Sequence, residues 1–292
     1  MSAMPSMIID TTPDERVFSL SEDQFSDIAK VVKDECGIHL PKAKLGLTVT
    51  RLQKRITALG LNSFAEYISL VNSKDGKPEI EEMISKITTN VTSFNRESHH
   101  FDHFRQNVLP DLMRSASDGE SVRLWSAGCS DGREPYTLAC LIIEAFPEVH
   151  KYDFKILATD IDKYSLAKAR SGKYTSDMVA SLPPGYAERW FEKSGSDFKV
   201  NHQLRSLVQF NLLNLMSPWP MKKEFDAIFC RNVLIYFSTE DQGYILDKFS
   251  QHLKKGCHLY LGHSERVVGA ATAVYRQVGV TIHLHEPKGR QN

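Results

Sequence analysis

The sequence predicts an α/β protein in which a doubly wound sheet follows an all-α region and carries a small inserted antiparallel β-subdomain. Three observations predict it. Short apolar runs at 122–127, 154–159, 225–229 and 258–261 alternate with helical patterns, the βαβα…β order that builds such a sheet. The first run ends in a loop of small residues, Gly128-Cys129-Ser130-Asp131-Gly132, feeding a helix with Leu138, Leu141, Ile142 and Ala145 at helical spacing. From Ser21 to about Ile87 every pattern is helical and no strand signal intervenes.

The 292 residues hold one large or two modest domains. Acidic and basic residues balance at 36 each, so bulk charge points to neither nucleic acid nor a membrane surface. Five cysteines form no CxxC pair and read as reduced thiols. Residues 1–16 lack the basic-then-apolar order of a secretion signal and read as a mobile tail. No stretch reaches about 18 consecutive apolar residues, so no membrane insertion is expected. The expected division is 17–87 for the helical domain and 88–292 for the sheet domain, with the insertion at about 175–207.

In the helical region Ser21 and Gln24 make a capping box ahead of Phe25, Ile28, Val31 and Val32. A second helix follows Pro41 and ends at Gly60; Ser63 and Glu66 box a third, and residues 79–87 give a fourth. Beside the apolar side of the second helix, Lys44, Thr48, Arg51 and Arg55 form a stripe with Lys54 close by. Such a stripe is either a solvated face or a docking surface for an acidic helix or a nucleic-acid backbone. The polar segment 88–97 is punctuated by Val91, Phe94 and Arg96, which a plain linker does not need. The helix expected from Ser98 to Val108, closed by Pro110, carries His99, His100 and His103; without a carboxylate or cysteine to complete a metal site, these read as surface histidines.

In the sheet region Gly128 and Gly132 lie four apart, not in a G-x-G-x-x-G pattern, so the loop suits close backbone approach to a nucleotide-like ligand more than a phosphate cradle. Asp160, at the end of the second strand, stands where a ribose-binding carboxylate belongs; Asp162 is placed either for that or to cap the next helix. Strand-like pieces at 198–200 and 204–207 surround an aromatic helix and the turn Ser194-Gly195-Ser196. The fourth strand runs into Arg231-Asn232-Val233-Leu234-Ile235-Tyr236, on the ligand side of such a sheet. A helix from Glu240 to Leu253, ended by Gly256, leads to a fifth strand, and residues 275–285 read as a closing strand pair.

With these residues in view, the chain resembles the chemoreceptor glutamate methyltransferases, the CheR family of bacterial chemotaxis, over residues 20 to 285. The resemblance rests on the sequences at 89–97 (TNVTSFNRE), 125–136 (WSAGCSDGREPY), 158–162 (ATDID) and 225–237 (FDAIFCRNVLIYF), with Gly-His-Ser-Glu at 262–265. It implies a Rossmann-like S-adenosylmethionine-dependent methyltransferase fold, S-adenosylmethionine as methyl donor, S-adenosylhomocysteine as product and no metal. The implied acceptors are glutamates in the cytoplasmic helical domain of chemoreceptors, modified by a cytoplasmic enzyme; monomer is the default expectation. Cofactor positions carry over onto Asn90, Thr92, Arg96, Glu134, Asp160, Asn214, Leu215, Arg231 and Asn232, beside Gly128 from the loop. Arg96 and Tyr236 match residues next to the reacting methyl group. Lys44, Arg51, Lys54 and Arg55 match a receptor-docking helix. Two departures stand out: Asn95 where the family commonly has phenylalanine, and Arg133 where it commonly has glutamate. The turn at 194–196 is shorter than in members that grip a receptor's C-terminal pentapeptide, so independence of that tether is expected.

A glutamate with an ordinary pKa of about 4.3 is already an anion and needs no general base, consistent with the lack of a Ser/His/Asp or Cys/His constellation. Two rival functions are a nucleic-acid methyltransferase and a receptor-binding module that senses the cofactor without transfer. Against the first, Arg231-Asn232-Val233-Leu234 lacks the Asn/Asp-Pro-Pro-Tyr/Phe pattern of amine-modifying enzymes; against the second stand Arg96 and Tyr236.

Overall fold

The computed structural model describes residues 18–88 and 90–287; the tail expected over residues 1–16 lies outside the described residues. The helical region comprises α1 (Glu22–Cys36), α2 (Leu45–Ala58), α3 (Phe64–Val71) and α4 (Lys77–Ile87). The Ser21/Gln24 capping box is formed, and α1 ends at Gly37, whose φ of 74° is the left-handed conformation glycine accepts most easily. In α3 the Ser63 hydroxyl accepts from Glu66 N, while Glu66 reaches back to Asn62 N. Phe25, Ile28, Leu52, Ile56, Phe64, Tyr67 and Met83 form the core of this bundle, against which Ile161 and Tyr236 of the sheet region also pack.

Next come α5 (Ser98–His103) and α6 (Leu109–Ser117), joined through a π-helical turn at Phe104–Val108. Pro110 therefore does not close a helix as expected; it sits in the first turn of α6, where its missing N–H matters least.

The sheet region contains β1 (Val122–Ala127), α7 (Arg133–Ala145), β2 (Phe154–Asp160), α8 (Lys163–Ser171), β3 (Lys173–Thr175), α9 (Ser176–Val179), α10 (Tyr186–Trp190), β4 (Phe191–Ser194), β5 (Asp197–Val200), α11 (His202–Leu207), β6 (Val208–Leu212), β7 (Phe225–Cys230), α12 (Thr239–His252), β8 (Leu253–Leu261), β9 (Tyr275–Gly279) and β10 (Ile282–His285). Seven strands make the main sheet in the order β6-β2-β1-β7-β8-β10-β9, and β3-β5-β4 make a separate antiparallel sheet. Pairing is parallel from β6 to β8 and antiparallel at β10 and β9. Strand order reverses between β1 and β7, which opens a crevice beyond their C-terminal ends. Trp125 and Phe225 pack one face against Phe249 of α12, while Leu124, Ala227 and Phe229 join the core with α6 and α7 on the other.

Three further expectations change. Residues 204–207 are helical, not strand-like, because Asn201 caps α11 and Leu204 and Leu207 share its buried side. Gly256 lies within β8, where the pairing with β7 shifts register; its φ of 78° serves a bulge rather than a helix end. His100 is fully buried, with Nε2 3.1 Å from Val280 O and 3.0 Å from Thr281 Oγ1, and Nδ1 of half-buried His103 lies 3.0 Å from the Tyr260 hydroxyl. Burial lowers the His100 pKa to about 3 and keeps the ring neutral. Of the three histidines only His99 is exposed. Among the described residues no cluster of three or more His, Cys, Asp or Glu is arranged to hold a metal ion.

Candidate active site

A cleft of about 900 Å³, open to solvent, occupies the crevice and is walled on one side by Cys36 and Ile38 of the helical region. Its lining includes Gly128, Asp160, Asn214 and Leu215 from the strand ends and Glu134 from α7. It also includes Arg231, Asn232 and Tyr236 after β7, and Asn90, Thr92 and Arg96 from the segment entering α5. Every residue expected at the cofactor or the reacting centre thus faces one cavity.

The loop after β1 is shaped for close approach. Gly128 and Cys129 both donate to Thr159 O, at 2.8 and 2.9 Å, and Gly128 has φ 78°. A Cβ there would collide with the Val233 side chain, so only glycine lets the two loops meet. Ser130 N donates to Asp160 Oδ2 at 2.7 Å and Asp162 N to Asp160 Oδ1 at 2.9 Å. Burial nevertheless raises the Asp160 pKa to about 6. The two acids divide their tasks: Asp160 lines the cleft, and Asp162 caps α8 by accepting from Tyr164 N and Ser165 N. Asp162 also accepts from Ser85 Oγ of α4 and from Asn90 Nδ2, at 2.5 and 2.7 Å, tying the helical region and the 88–97 segment to the sheet.

A second polar cluster lies across the cleft. Glu134 accepts from Ser126 Oγ at 2.7 Å and from Arg231 Nη1 at 3.1 Å; burial pushes its carboxyl pKa up, and the Arg231 charge opposes that. Arg231 Nη2 donates to the Arg96 carbonyl and, at 3.3 Å, to Glu97 Oε2, and the guanidinium stands 5.1 Å from the Phe101 ring centre. Glu97 also accepts from Asn232 Nδ2 at 3.3 Å and lies 2.9 Å from His263 Nδ1. Burial alone would raise the Glu97 pKa, but hydrogen bonding from His263 and the Arg231 charge hold it down at about 2.

Arg96 keeps its fork partly open to the cleft: Nη1 donates to Val91 O at 2.9 Å, Nε is 4.0 Å from Glu97 Oε1, and a third of the side chain is exposed. Its turn is fixed by buried Phe94, edge-on to Tyr174 and Phe191, and by Asn95 N donating to Thr137 Oγ1 at 3.2 Å. Asn95 has φ 53°, a left-handed conformation that asparagine tolerates better than a bulky aromatic, which accounts for this departure. Arg133 is engaged by Asp131, at 2.9 and 3.0 Å, and does not line the cleft.

Tyr236 lies in a 3-10 turn whose carbonyl accepts from His39 N at 2.7 Å, and Lys44 Nζ stands 5.3 Å from its ring centre. Asn214 bridges the same two regions by donating to Glu35 O at 2.8 Å. The carbonyl of Leu215 accepts from Trp219 Nε1 and Lys248 Nζ, each at 3.1 Å.

The basic stripe is largely consumed internally. Arg55 forms a two-toothed pair with buried Glu79, which also accepts from the Tyr67 hydroxyl at 2.9 Å. Arg51 Nη1 donates to the carbonyls of Lys86, Ile87 and Thr88 at the end of α4. Arg51 and Arg55 thus tie α2 to α4 within the bundle while staying half-exposed; Lys54 is exposed and Lys44 half-buried. Sequence reasoning gave no role to Glu97 and Glu265, although both stand inside the quoted stretches at 89–97 and 262–265. Nor did it place Cys36 or Ile38 at the cleft, since they lie in a distant helical segment.

Buried Asp160, half-buried Glu134, an arginine fork and apolar Ile161, Leu215 and Val233 fit a nucleoside that carries a charged amino-acid tail. Comparison with known proteins agrees. Residues 23–88 match the all-alpha domain of CheR methyltransferases, and residues 90–284 match their SAM-binding domain. A probable chemotaxis protein methyltransferase of Rhizobium etli is 44% identical over 263 residues, covering 89% of this chain and 98% of that one. Chemotaxis protein methyltransferases of Borreliella burgdorferi and Escherichia coli are 38% and 36% identical, covering 88% and 85% of this chain and 93% and 85% of theirs.

Proposed function

The chain belongs to the CheR methyltransferase family, as an S-adenosylmethionine-dependent methyltransferase of chemotaxis receptors, and on that premise we propose that its acceptors are receptor glutamate carboxylates, released as methyl esters. The observation that carries this reading is the placement of Arg96 and Tyr236 together on a cleft that also presents the carboxylates of Asp160 and Glu134. A partly exposed fork facing the cleft suits a planar anion arriving from solvent. The nucleic-acid and non-transferring readings are not favoured by these relationships.

In this reading Asp160 takes the ribose hydroxyls, Glu134 the ammonium group and Arg231 and Asn232 the carboxylate end of the cofactor. Asn90, Thr92, Asn214 and Leu215 complete the wall, and Gly128 lets the chain approach closely. When bound, S-adenosylmethionine supplies a methyl group on a positively charged sulfur. The acceptor carboxylate is ionised before it arrives, so the chain has to orient and desolvate it rather than deprotonate it. Arg96 receives it with its guanidinium, and the Tyr236 ring closes the cleft mouth while its hydroxyl fixes the acceptor's direction. Alignment of this kind accounts for roughly 7–11 kcal/mol of barrier lowering in well-oriented systems. Lys44, at the Tyr236 ring, and exposed Lys54 supply positive charge towards the acidic helices of the receptor's cytoplasmic domain.

No helix among the described residues is long and apolar enough to cross a membrane. We take it to act as a monomer without a metal. The β4–β5 hairpin, closed by Gly195 and Ser196 alone, supports action without a receptor C-terminal tether. The test is methylation of a purified receptor cytoplasmic fragment followed by peptide mass spectrometry. Methyl esters on glutamates that vanish when those glutamates are replaced by alanine support the reading. Modification of lysine, cysteine or nucleic acid instead overturns it.

A further inference from the structure

The Gly-His-Ser-Glu stretch at 262–265 does not line the cleft, yet its last residue is built into the loop that does. Glu265 is buried, and its carboxylate is enclosed by backbone amides. Oε2 accepts from Asn232 N at 2.9 Å and Gly262 N at 2.5 Å; Oε1 accepts from Val233 N at 2.7 Å and Ile235 N at 3.3 Å. Three of these donors belong to the loop that carries Arg231, Asn232 and Tyr236.

That loop cannot hold its shape by local preference. Asn232 has φ 60°, a left-handed residue that needs outside support. Its amides point towards one spot, and the carboxylate that accepts from them is buried. β7 and β8 are neighbours with Cys230 opposite Leu261, so the chain leaving each strand arrives at the same place. Gly262 is required there: a Cβ would lie 2.5 Å from Asn232 Nδ2 and 2.6 Å from its backbone nitrogen. The turn from Gly262 to Glu265, closed by Glu265 N donating to Gly262 O at 2.9 Å, then aims the carboxylate into the nest.

We propose that Glu265 is a positioning residue for methyl transfer. By accepting from the loop's own amides it sets the backbone from which Arg231 and Asn232 reach the cofactor and Tyr236 reaches the acceptor. This rests on the function proposed above, and it makes a separate demand: the loop is ordered by Glu265 before any cofactor arrives. Glutamine at 265 keeps the size and one acceptor oxygen but turns an NH₂ group towards two donors. Alanine removes both acceptors.

The test compares wild type with Glu265→Gln and Glu265→Ala, reading amide hydrogen exchange without cofactor, S-adenosylhomocysteine affinity by calorimetry, and thermal unfolding. The expected result is faster exchange at residues 232, 233 and 235 and affinity about 10-fold weaker for Gln and about 100-fold for Ala, an ordering that follows the number of acceptors lost. The thermal transition should stay cooperative in the Gln variant. Unchanged loop exchange and affinity in both variants overturn the proposal, and so does loss of the cooperative transition in Glu265→Gln, which makes the group a determinant of the whole fold. If wild type itself binds no S-adenosylhomocysteine, the cofactor reading fails, and the exchange data alone decide whether Glu265 orders the loop.

Discussion

Asp160 offers a test in which stability and cofactor affinity move in opposite directions with pH. Burial raises its pKa from the ordinary 3.8 to about 6. Keeping this carboxylate ionised in the folded protein therefore costs roughly 3 kcal/mol. The sign follows from linkage. An acid whose folded pKa exceeds its unfolded one stabilises the fold most below the unfolded value, and that stability is lost as pH rises through the folded value. Asp160→Asn removes the charge but also one of the two acceptor oxygens now used by Ser130 N and Asp162 N, a loss of about 1 kcal/mol. In the cofactor-free protein at about pH 7.5 the variant should thus be more stable by about 1–2 kcal/mol. Between about pH 7.5 and 4.5 its advantage should shrink by about 2 kcal/mol, because the wild-type carboxyl regains its proton. Urea unfolding at both pH values measures this directly. Wild-type affinity for S-adenosylhomocysteine should instead weaken as pH falls below about 6, while the variant binds weakly and flatly throughout. Stability curves that run parallel for the two proteins would refute the reasoning about Asp160.

Arg96→Ala should slow receptor methylation roughly 10- to 100-fold with little change in S-adenosylhomocysteine affinity, since one charge-assisted contact to the acceptor is removed. Tyr236→Phe should slow it only about 2- to 10-fold, and steady-state kinetics on receptor fragments separates the two roles. Arg55→Ala should destabilise the protein by about 2–3 kcal/mol by stranding Glu79, whereas Lys54→Ala should leave the unfolding midpoint unchanged and weaken receptor binding in low salt. Glu97 has a folded pKa of about 2 against an ordinary 4.5, so its stabilisation is present above the higher value and lost as pH falls through the lower. Glu97→Gln should accordingly lower the unfolding midpoint at neutral pH and have little effect in strong acid, as acid-unfolding curves would show.

Much of the sheet was legible because buried parallel strands are short apolar runs and their loops carry the chemistry. The residues at 128, 160 and 231–236 fall at strand ends, where position along the chain nearly fixes position in space. What stayed hidden depended on partners far away in sequence. His100 is buried against Val280 and Thr281, a contact that no local pattern around residue 100 announces. Arg51 and Arg55 look like a solvent stripe until α4 brings Glu79 and three carbonyls to them. Residues 204–207 are too few for periodicity to decide between helix and strand, and Asn201 settled it as a cap. Gly256 was ambiguous for a physical reason, since a helix end and a β-bulge ask glycine for the same positive φ.

The most direct measurement is transfer of radiolabelled methyl from S-adenosylmethionine to receptor-bearing membranes, followed by alkali release, with Arg96→Ala in parallel. Base-labile label on the receptor that is lost in the variant is the expected result. Alkali-stable label, or no transfer from a protein that binds the cofactor tightly, would contradict it.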